Sequence, residues 1–514
     1  MFECLSWIMK NKIKKIKEIS NIIVFKKNEG KRIIHCHGVF DLLHIGHIKH
    51  FEEAKKMGDI LVVSITPDRF VNKGPGRPAF TTSLRLQALS ALESIDYVVA
   101  NEWQSAEEII KIIQPDVYCK GPDYKDHSDD ITGKISAEEN AVKSTGGKIA
   151  YTDDITFSSS SLLNKYGDLY SQEQEEFIRE ISQNTNFESI NSQIDSIKNL
   201  KVLVIGETII DQYVFCEALG KSGKEPVLVL RDLDTQEYLG GALAIARHLA
   251  AFCNDVAVLS FLGKDNQYKS FIEKNMEENV KLNLLNKSDS PTIVKRRFVD
   301  NIDRKKILGV YSINDNALNE SDENDFISEF DSLSKEYDLI IVSDYGHGVI
   351  TPKIAKHISK SDNFISLNAQ VNAANIGTHN IRKYHDINCL IINANELQHE
   401  MRQRDGNLEK LALKLQKAIN AKYMTVTQGR VGAFLLNGEE KPIKCPGFAS
   451  EVVDKVGSGD ALLALLSVCL YSGITENLSL FIASIAAAQS VESIGTSRPV
   501  SKILLLKTIS HFLK

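Results

Sequence analysis

The chain of 514 residues contains no apolar run approaching the roughly 20 residues that span a bilayer, so a transmembrane segment is not expected. It also has no basic excess. Lys and Arg number 61 against 67 Asp and Glu, a net charge of −6, which argues against a general nucleic-acid binder because nothing global neutralises phosphates. The eight cysteines (Cys4, Cys36, Cys119, Cys216, Cys253, Cys389, Cys445 and Cys469) include no CxxC pair, and their spacing suggests neither a disulfide framework nor a zinc site. Scattered reduced thiols fit the cytoplasm. Short-period repeats and low-complexity tracts are missing as well. The basic stretch from Met9 to Lys17 lacks the h-region and small-residue cleavage site of a signal peptide. It reads as a surface helix leading into the first strand, with a membrane-surface contact as the lesser alternative.

What is present is ordinary globular composition, 43% hydrophobic and 25% charged, in a chain long enough for more than one domain. Two α/β blocks stand apart. The first opens with the apolar run 32–36 and alternates onward: a helix at about 46–57, a strand at 59–65, a helix near 83–93, and strands near 95–99 and 117–119. Such alternation predicts a parallel, doubly wound sheet. From about 166 to 199 the composition turns polar, but Ile190, Ile194 and Ile197 keep helical spacing, so part of this linker is expected to be an amphipathic helix. The second block opens at Lys201 (KVLVI), with strand signals at 256–261, 339–343, 388–392 and 423–427. The expected boundaries are a basic extension at 1–29, a first domain at 30–165, the linker at 166–199 and a second domain at 200–514.

Residues Gly38 to His47 read GVFDLLHIGH, after an apolar strand and before an amphipathic helix. His44 and His47 fall at a strand-to-helix turn where Gly46 permits close backbone approach. Helix-start N–H groups there face an anion, and two imidazoles can stabilise charge developing at an attacked phosphorus. This run resembles the HxGH nucleotidyltransferases of the cytidylyltransferase-like group. The resemblance continues through Gly74–Arg85 (GPGRPAFTTSLR), Ala91–Asp96 (ALESID), Lys120–Tyr124 (KGPDY) and Phe157–Ser160 (FSSS), in the order of heptose-phosphate nucleotidyltransferases. It implies a Rossmann-like domain in which a sugar 1-phosphate oxygen attacks the α-phosphorus of ATP or CTP and pyrophosphate leaves, with Mg²⁺ on the triphosphate. It further implies His44 and His47 as catalytic residues. Gly38, Phe40, Asp41, Gly46, Lys49, Lys73, Arg77, Arg85, Lys120, Gly121, Ser158 and Ser159 are the implied nucleotide or phosphate contacts.

Residues Asp454 to Asp460 read DKVGSGD ahead of a small-residue helix start. Glycines before a helix free backbone N–H groups for a phosphate, and Asp460 can take a proton from a sugar hydroxyl beside them. With Gly206–Asp211 (GETIID), Gly240-Gly241, Asn393–Glu396 (NANE) and Thr427-Gln428-Gly429, this turn resembles the PfkB/ribokinase family. The resemblance implies a ribokinase-like α/β domain with a small β lid near 212–240 and 290–312, through which such folds often form homodimers. It assigns Asp211, Gly240 and Gly241 to the sugar and Asp460 to base catalysis. Asn393, Glu396, Thr427, Gly429, Gly457, Ser458 and Gly459 go to the nucleotide, with Glu396 bearing indirectly on Mg²⁺. Four positions depart from the pattern, most of them on the sugar side: Ala244, His347, Asn368 and Lys455.

Together the halves resemble bifunctional heptose kinase/nucleotidyltransferases, with the usual domain order reversed. The implied function is a two-step, cytoplasmic synthesis of an ADP- or CDP-linked sugar for an envelope polysaccharide, with small-molecule partners and neither nucleic acid nor membrane. Two alternatives stand beside it. One is a nucleotidyltransferase carrying a non-catalytic kinase-like binding module. The other is a cytidylyltransferase for a non-sugar alcohol phosphate.

Overall fold

The computed structural model describes residues 12–71, 78–121, 134–152, 170–371, 375, 380–439, 441–449 and 452–513. The chain divides into two compact units, Met1–Ser171 with Leu506–Lys514, and Gln172–Leu505. No helix among the described residues is long and apolar enough to cross a membrane.

The first unit is a six-stranded parallel sheet. Its strands are β1 (Ile13–Lys14), β2 (Ile33–Gly38), β3 (Ile60–Ile65), β4 (Tyr97–Ala100), β5 (Val117–Lys120) and β6 (Lys148–Tyr151). They lie in the order β1-β4-β3-β2-β5-β6. The helices between them are α1 (Ile16–Asn28), α2 (Ile45–Lys56), α3 (Thr82–Ser90), α4 (Glu107–Ile113) and α5 (Lys134–Ser144). Period-2 alternation splits every central strand between two cores. Ile34, Cys36, Leu61, Val63, Val117 and Cys119 face Phe51 and Ala54 of α2. Ile33, Val62 and Tyr118 face α1, α4 and α5. The segment before residue 30 departs from the expected extension and surface helix. Ile13–Lys14 pairs with β4 at the sheet edge, and α1 buries Ile19 and Ile23, four residues apart, against the sheet. Sheet order reverses between β2 and β5, the place where open α/β sheets bind ligands beyond their carboxyl ends.

The polar stretch after residue 166 is more ordered than a linker. It forms α6 (Gln172–Asn184) and α7 (Phe187–Ser196), which bury Phe177, Ile181, Ile190 and Ile194. The Phe177 ring lies 6.3 Å from that of Phe448 and 5.8 Å from that of Phe481, so α6 packs within the second unit.

After α6 and α7 the second unit continues with β7 (Lys201–Gly206), followed by the long strands β8 (Thr208–Lys221) and β9 (Leu228–Gly241), then α8 (Ala242–Ala250) and β10 (Asp255–Gly263). Next come α9 (Lys269–Asn275), β11 (Val280–Lys287), β12 (Ile293–Asp300), β13 (Lys306–Ser312), α10 (Glu320–Leu333) and β14 (Leu339–Asp344). The chain continues through α11 (Pro352–Ile358), β15 (Phe364–Ala369), β16 (Cys389–Asn393), α12 (Ala394–Met401), α13 (Leu408–Ile419) and β17 (Tyr423–Thr427). It closes with β18 (Ala433–Leu436), β19 (Ile443–Cys445), α14 (Ser458–Tyr471), α15 (Glu476–Ser490) and α16 (Lys502–Phe512). The main sheet runs β11-β10-β7-β14-β15-β16-β17-β18-β19 and reverses between β7 and β14. A separate four-stranded sheet, β13-β12-β8-β9, comes from the two segments expected to form a lid. Leu228, Leu308 and Val310 of this sheet are exposed. Helices α14 and α15 are apolar nearly all round and buried, the pattern of a helix sealed inside a domain.

Leu203 sits at the centre of β7, fully buried among Ile340, Leu367 and Leu390 neighbours of the same core. Leu203→Ala is expected to destabilise the second unit by about 2–5 kcal/mol, read as an earlier transition in denaturant for that unit.

Candidate active sites

In the first unit, β2 ends at Gly38, and the chain turns through Phe40 at a left-handed φ of 48°. A non-glycine residue there needs support. Phe40 has it from ring contacts to His47 at 5.4 Å and Phe51 at 5.0 Å. Gly38 makes room, since a Cβ at that position would lie 2.8 Å from the Phe40 ring. His44 is the N-cap of α2, and its Nδ1 accepts from the Gly46 N–H at 3.2 Å. The His44 and His47 rings lie with centroids 3.9 Å apart and planes tilted by 33°. Two imidazoles and the first N–H groups of a helix therefore converge at the carboxyl end of β2, beside the reversal of strand order.

Several predicted contacts have other tasks. Arg85 is fully buried and spends its guanidinium on the Phe80, Val39 and Thr66 carbonyls, the Asp68 carboxylate and the Thr82 hydroxyl, so it braces the loops rather than facing a phosphate. The buried Asp41 carboxylate accepts from Ala79 N–H at 2.9 Å and Phe80 N–H at 3.1 Å, which ties down the chain that returns toward α3. Lys49 is exposed and paired with Glu52 at 3.1 Å. Lys120, at the end of β5 beside Gly121, is held by Glu138 at 2.6 Å with both side chains nearly buried. Lys73, Arg77, Ser158 and Ser159 lie outside the described residues. One group went unread in the sequence: His37 Nδ1 and His35 Nε2 both lie 2.7 Å from Ser64 Oγ, with Thr66 Oγ1 3.2 Å from His37 Nε2. The HxH alternation on β2 was the available signal, since it sets both rings on one face.

In the second unit a cleft of about 300 Å³ opens over the carboxyl ends of β15 to β17. Asp211, Gly241, Asn393, Glu396, Thr427, Gly457, Ser458, Gly459 and Asp460 all line it, so residues spread over 250 positions of sequence meet in one place. Gly240 stands against the Asp211 carboxylate, while Gly429 lies in the short turn after β17 and does not line the cleft. Gly457 caps α14 with φ of 92°, a conformation L residues rarely adopt, and Asp460 falls in that helix's first turn. Gly241 caps α8 at φ 60°, and any side chain there would meet the Glu207 carbonyl.

Electrostatics in the cleft follow from burial. Asp460 is 6% exposed, and desolvation pushes its pKa up to about 7. The Tyr345 hydroxyl donates to Asp460 Oδ1 at 2.8 Å and opposes that rise. Glu396 is likewise pushed up to about 7 by burial. The NANE element is a capping box on α12: Asn393 accepts from Glu396 N–H, and Glu396 accepts from Asn393 N–H, both at 2.9 Å. Asp211 accepts from the Arg297 guanidinium, and Lys295 is its register partner on β12. Lys295 also lies 5.1 Å over the Tyr345 ring. These two cations were missed in the sequence. Their i, i+2 spacing on a strand puts both into the cleft, but only once the strand's inner face is known.

The departures from the family pattern are also placed. Ala244 is buried in the first turn of α8, and His347 is buried with Nδ1 2.6 Å from Asp315. Asn368 and Lys455 remain in the cleft lining. Asn368 donates to the Ile391 carbonyl at 2.8 Å, and its buried Oδ1 has no partner among the described residues.

Residues 35–165 match the model for cytidylyltransferase-like proteins, and residues 199–503 match the model for pfkB family carbohydrate kinases. Bifunctional protein HldE of Campylobacter jejuni subsp. jejuni serotype O:6 is 30% identical over 299 residues, 58% of this chain and 62% of that relative. Bifunctional protein HldE of Aliarcobacter butzleri is 40% identical over 139 residues, 26% of this chain and 29% of its own. The chain thus aligns with less than two thirds of these relatives' length. Ribokinase from Thermotoga maritima is 19% identical, covering 59% of this chain and 98% of that one at a TM-score of 0.47. With the pfkB match extending over more than half of its length, the chain belongs to the pfkB family of carbohydrate kinases and carries a cytidylyltransferase-like domain ahead of it.

Proposed function

We propose that the chain performs two consecutive steps: phosphorylation of a sugar or sugar phosphate at its anomeric hydroxyl, then nucleotidyl transfer onto the new phosphate. The observation that carries this reading is the convergence of Asp460, the Gly457–Gly459 turn and Asp211 in one cleft. Asp211 orients the sugar, Asp460 takes its hydroxyl proton, and the freed oxygen attacks the γ-phosphorus of ATP as ADP departs. The N–H groups of the α14 start hold the transferring phosphoryl group. Lys295 and Arg297 add positive charge suited to a phosphorylated sugar. The Asn368 oxygen, without a partner among the described residues, and the buried Glu396 carboxyl group suit a hydrated Mg²⁺, which would neutralise phosphate charge.

In the first unit His44 and His47 stabilise the α-phosphorus transition state while a sugar 1-phosphate oxygen attacks and pyrophosphate leaves. Similarity to the HldE proteins supports a heptose-type sugar, an ADP- or CDP-linked product for envelope polysaccharide, and a cytoplasmic setting. The exposed Leu228, Leu308 and Val310 support pairing of two copies through the small sheet.

Asp460→Asn should abolish ATP-dependent sugar phosphorylation and leave pyrophosphate release from a supplied sugar 1-phosphate intact. Wild-type phosphorylation that is absent, or unchanged by Asp460→Asn, would instead favour a non-catalytic kinase module. The base must be ionised to act, so kinase kcat/KM should rise with pH through about 7. Tyr345→Phe removes the bond that favours the carboxylate and should move this limb to higher pH.

His44→Ala and His47→Ala should each slow pyrophosphate release on the order of 10²–10³-fold, with kinase turnover retained. Consumption of CTP with glycerol 3-phosphate, and none with sugar 1-phosphates, would mark the alcohol-phosphate reading. Light scattering is expected to give a dimer mass that falls to the monomer in Leu308→Glu/Val310→Glu.

A further inference from the structure

Among the described residues, one group of metal-ligating side chains lies outside both sites: Cys36, His50 and Cys119, all buried. Cys36 and Cys119 are register partners on the adjacent parallel strands β2 and β5 and face the same core. His50 comes down from α2, one turn after His47. Its Nδ1 lies 2.9 Å from Thr152 Oγ1, and a hydroxyl accepting from Nδ1–H leaves the Nε2 lone pair for a cation.

Two sulfurs and one ring nitrogen lie within 4.8 Å of one another. Ligand atoms about 3.5–3.8 Å apart would surround a zinc ion with metal–sulfur bonds near 2.3 Å, so small side-chain rotations close the set. Cys36 and Cys119 belong to the same buried core cluster as Phe51, Ala54 and Leu61. Two thiols and an imidazole in a dry site select soft ions and discriminate against Mg²⁺ or Ca²⁺.

We propose that Cys36, His50 and Cys119 bind one thiophilic d¹⁰ cation, Zn²⁺ or Cu(I), beneath the turn that carries His44 and His47. Binding forms two metal–sulfur bonds and one metal–nitrogen bond, and releases two thiol protons to solvent without any oxidation. The ion clamps α2 to the two strands that flank the reversal of sheet order. His44 and His47 ride on the start of that same helix, so the ion acts as a structural support for them.

The test uses the full chain, reduced and stripped with a chelator, then loaded separately with Zn²⁺ or Cu(I) and desalted. One equivalent of at least one ion should remain, and which one distinguishes the two. Co²⁺, loaded as an optical probe, should give a thiolate-to-metal charge-transfer band. Cys36→Ser/Cys119→Ser should lose both the retained ion and the band. X-ray absorption of the loaded wild type should find two sulfurs and one nitrogen, a readout that does not depend on any variant folding. Retention of neither ion by the reduced protein overturns the proposal. So do a bound metal without sulfur neighbours, retention unchanged in the double variant, and a Cys36–Cys119 disulfide as the sole state of the pair.

Discussion

A helix start leaves its first backbone N–H groups without partners inside the helix, and an anion can take that place. Both candidate sites rest on this constraint. In the first unit α2 starts beyond the end of β2, with His44 as the N-cap accepting from the Gly46 N–H. In the second the helix is α14, where Gly457 adopts a backbone that opens the turn. An anion satisfies such groups more completely than any side chain at hand, which is why a glycine-rich turn recurs at each place with different chemistry beside it.

What differs is the water. The His44–His47 pair is only partly buried at a helix start. Asp460 and Glu396 are buried in the cleft wall, and desolvation pushes both pKa values up to about 7. A carboxyl group tuned there is a serviceable base, because its proton affinity matches the medium it works in. Beside burial, the Tyr345 hydrogen bond and the Lys295 charge favour the Asp460 carboxylate while Asp211 opposes it, and all three reach the cleft from elements far from Asp460 in sequence.

The motif-bearing turns were legible because their chemistry is local. A strand, a glycine-punctuated turn and an amphipathic helix can be read within ten or fifteen residues. The linker helix could be read from Ile190, Ile194 and Ile197 for the same reason. Strands whose inward positions are polar were harder: Phe364–Ala369 buries Ser366 and Asn368, so its hydrophobic alternation is weak. Ile13–Lys14 was hidden by the basic residues around it, since two residues of edge pairing leave no periodic trace. Arg85 shows the opposite error. A basic residue in a phosphate-binding segment invites a phosphate, yet its donors are consumed by three carbonyls, a carboxylate and a hydroxyl that converge only in the folded chain.

By itself the sequence determined the two α/β blocks, their order, the paired histidines and the Asp460 turn, because backbone sterics and period-2 or period-3.6 burial act over short stretches. Only the tertiary structure decided which side chains meet across long separations. Cys36 with Cys119 and His50, Asp211 with Arg297, and Tyr345 with Asp460 are such meetings. Strand register sets Cys36 against Cys119 and brings Asp211 near Arg297, helix packing brings His50 and Asp460 to their partners, and no spacing along the chain encodes either.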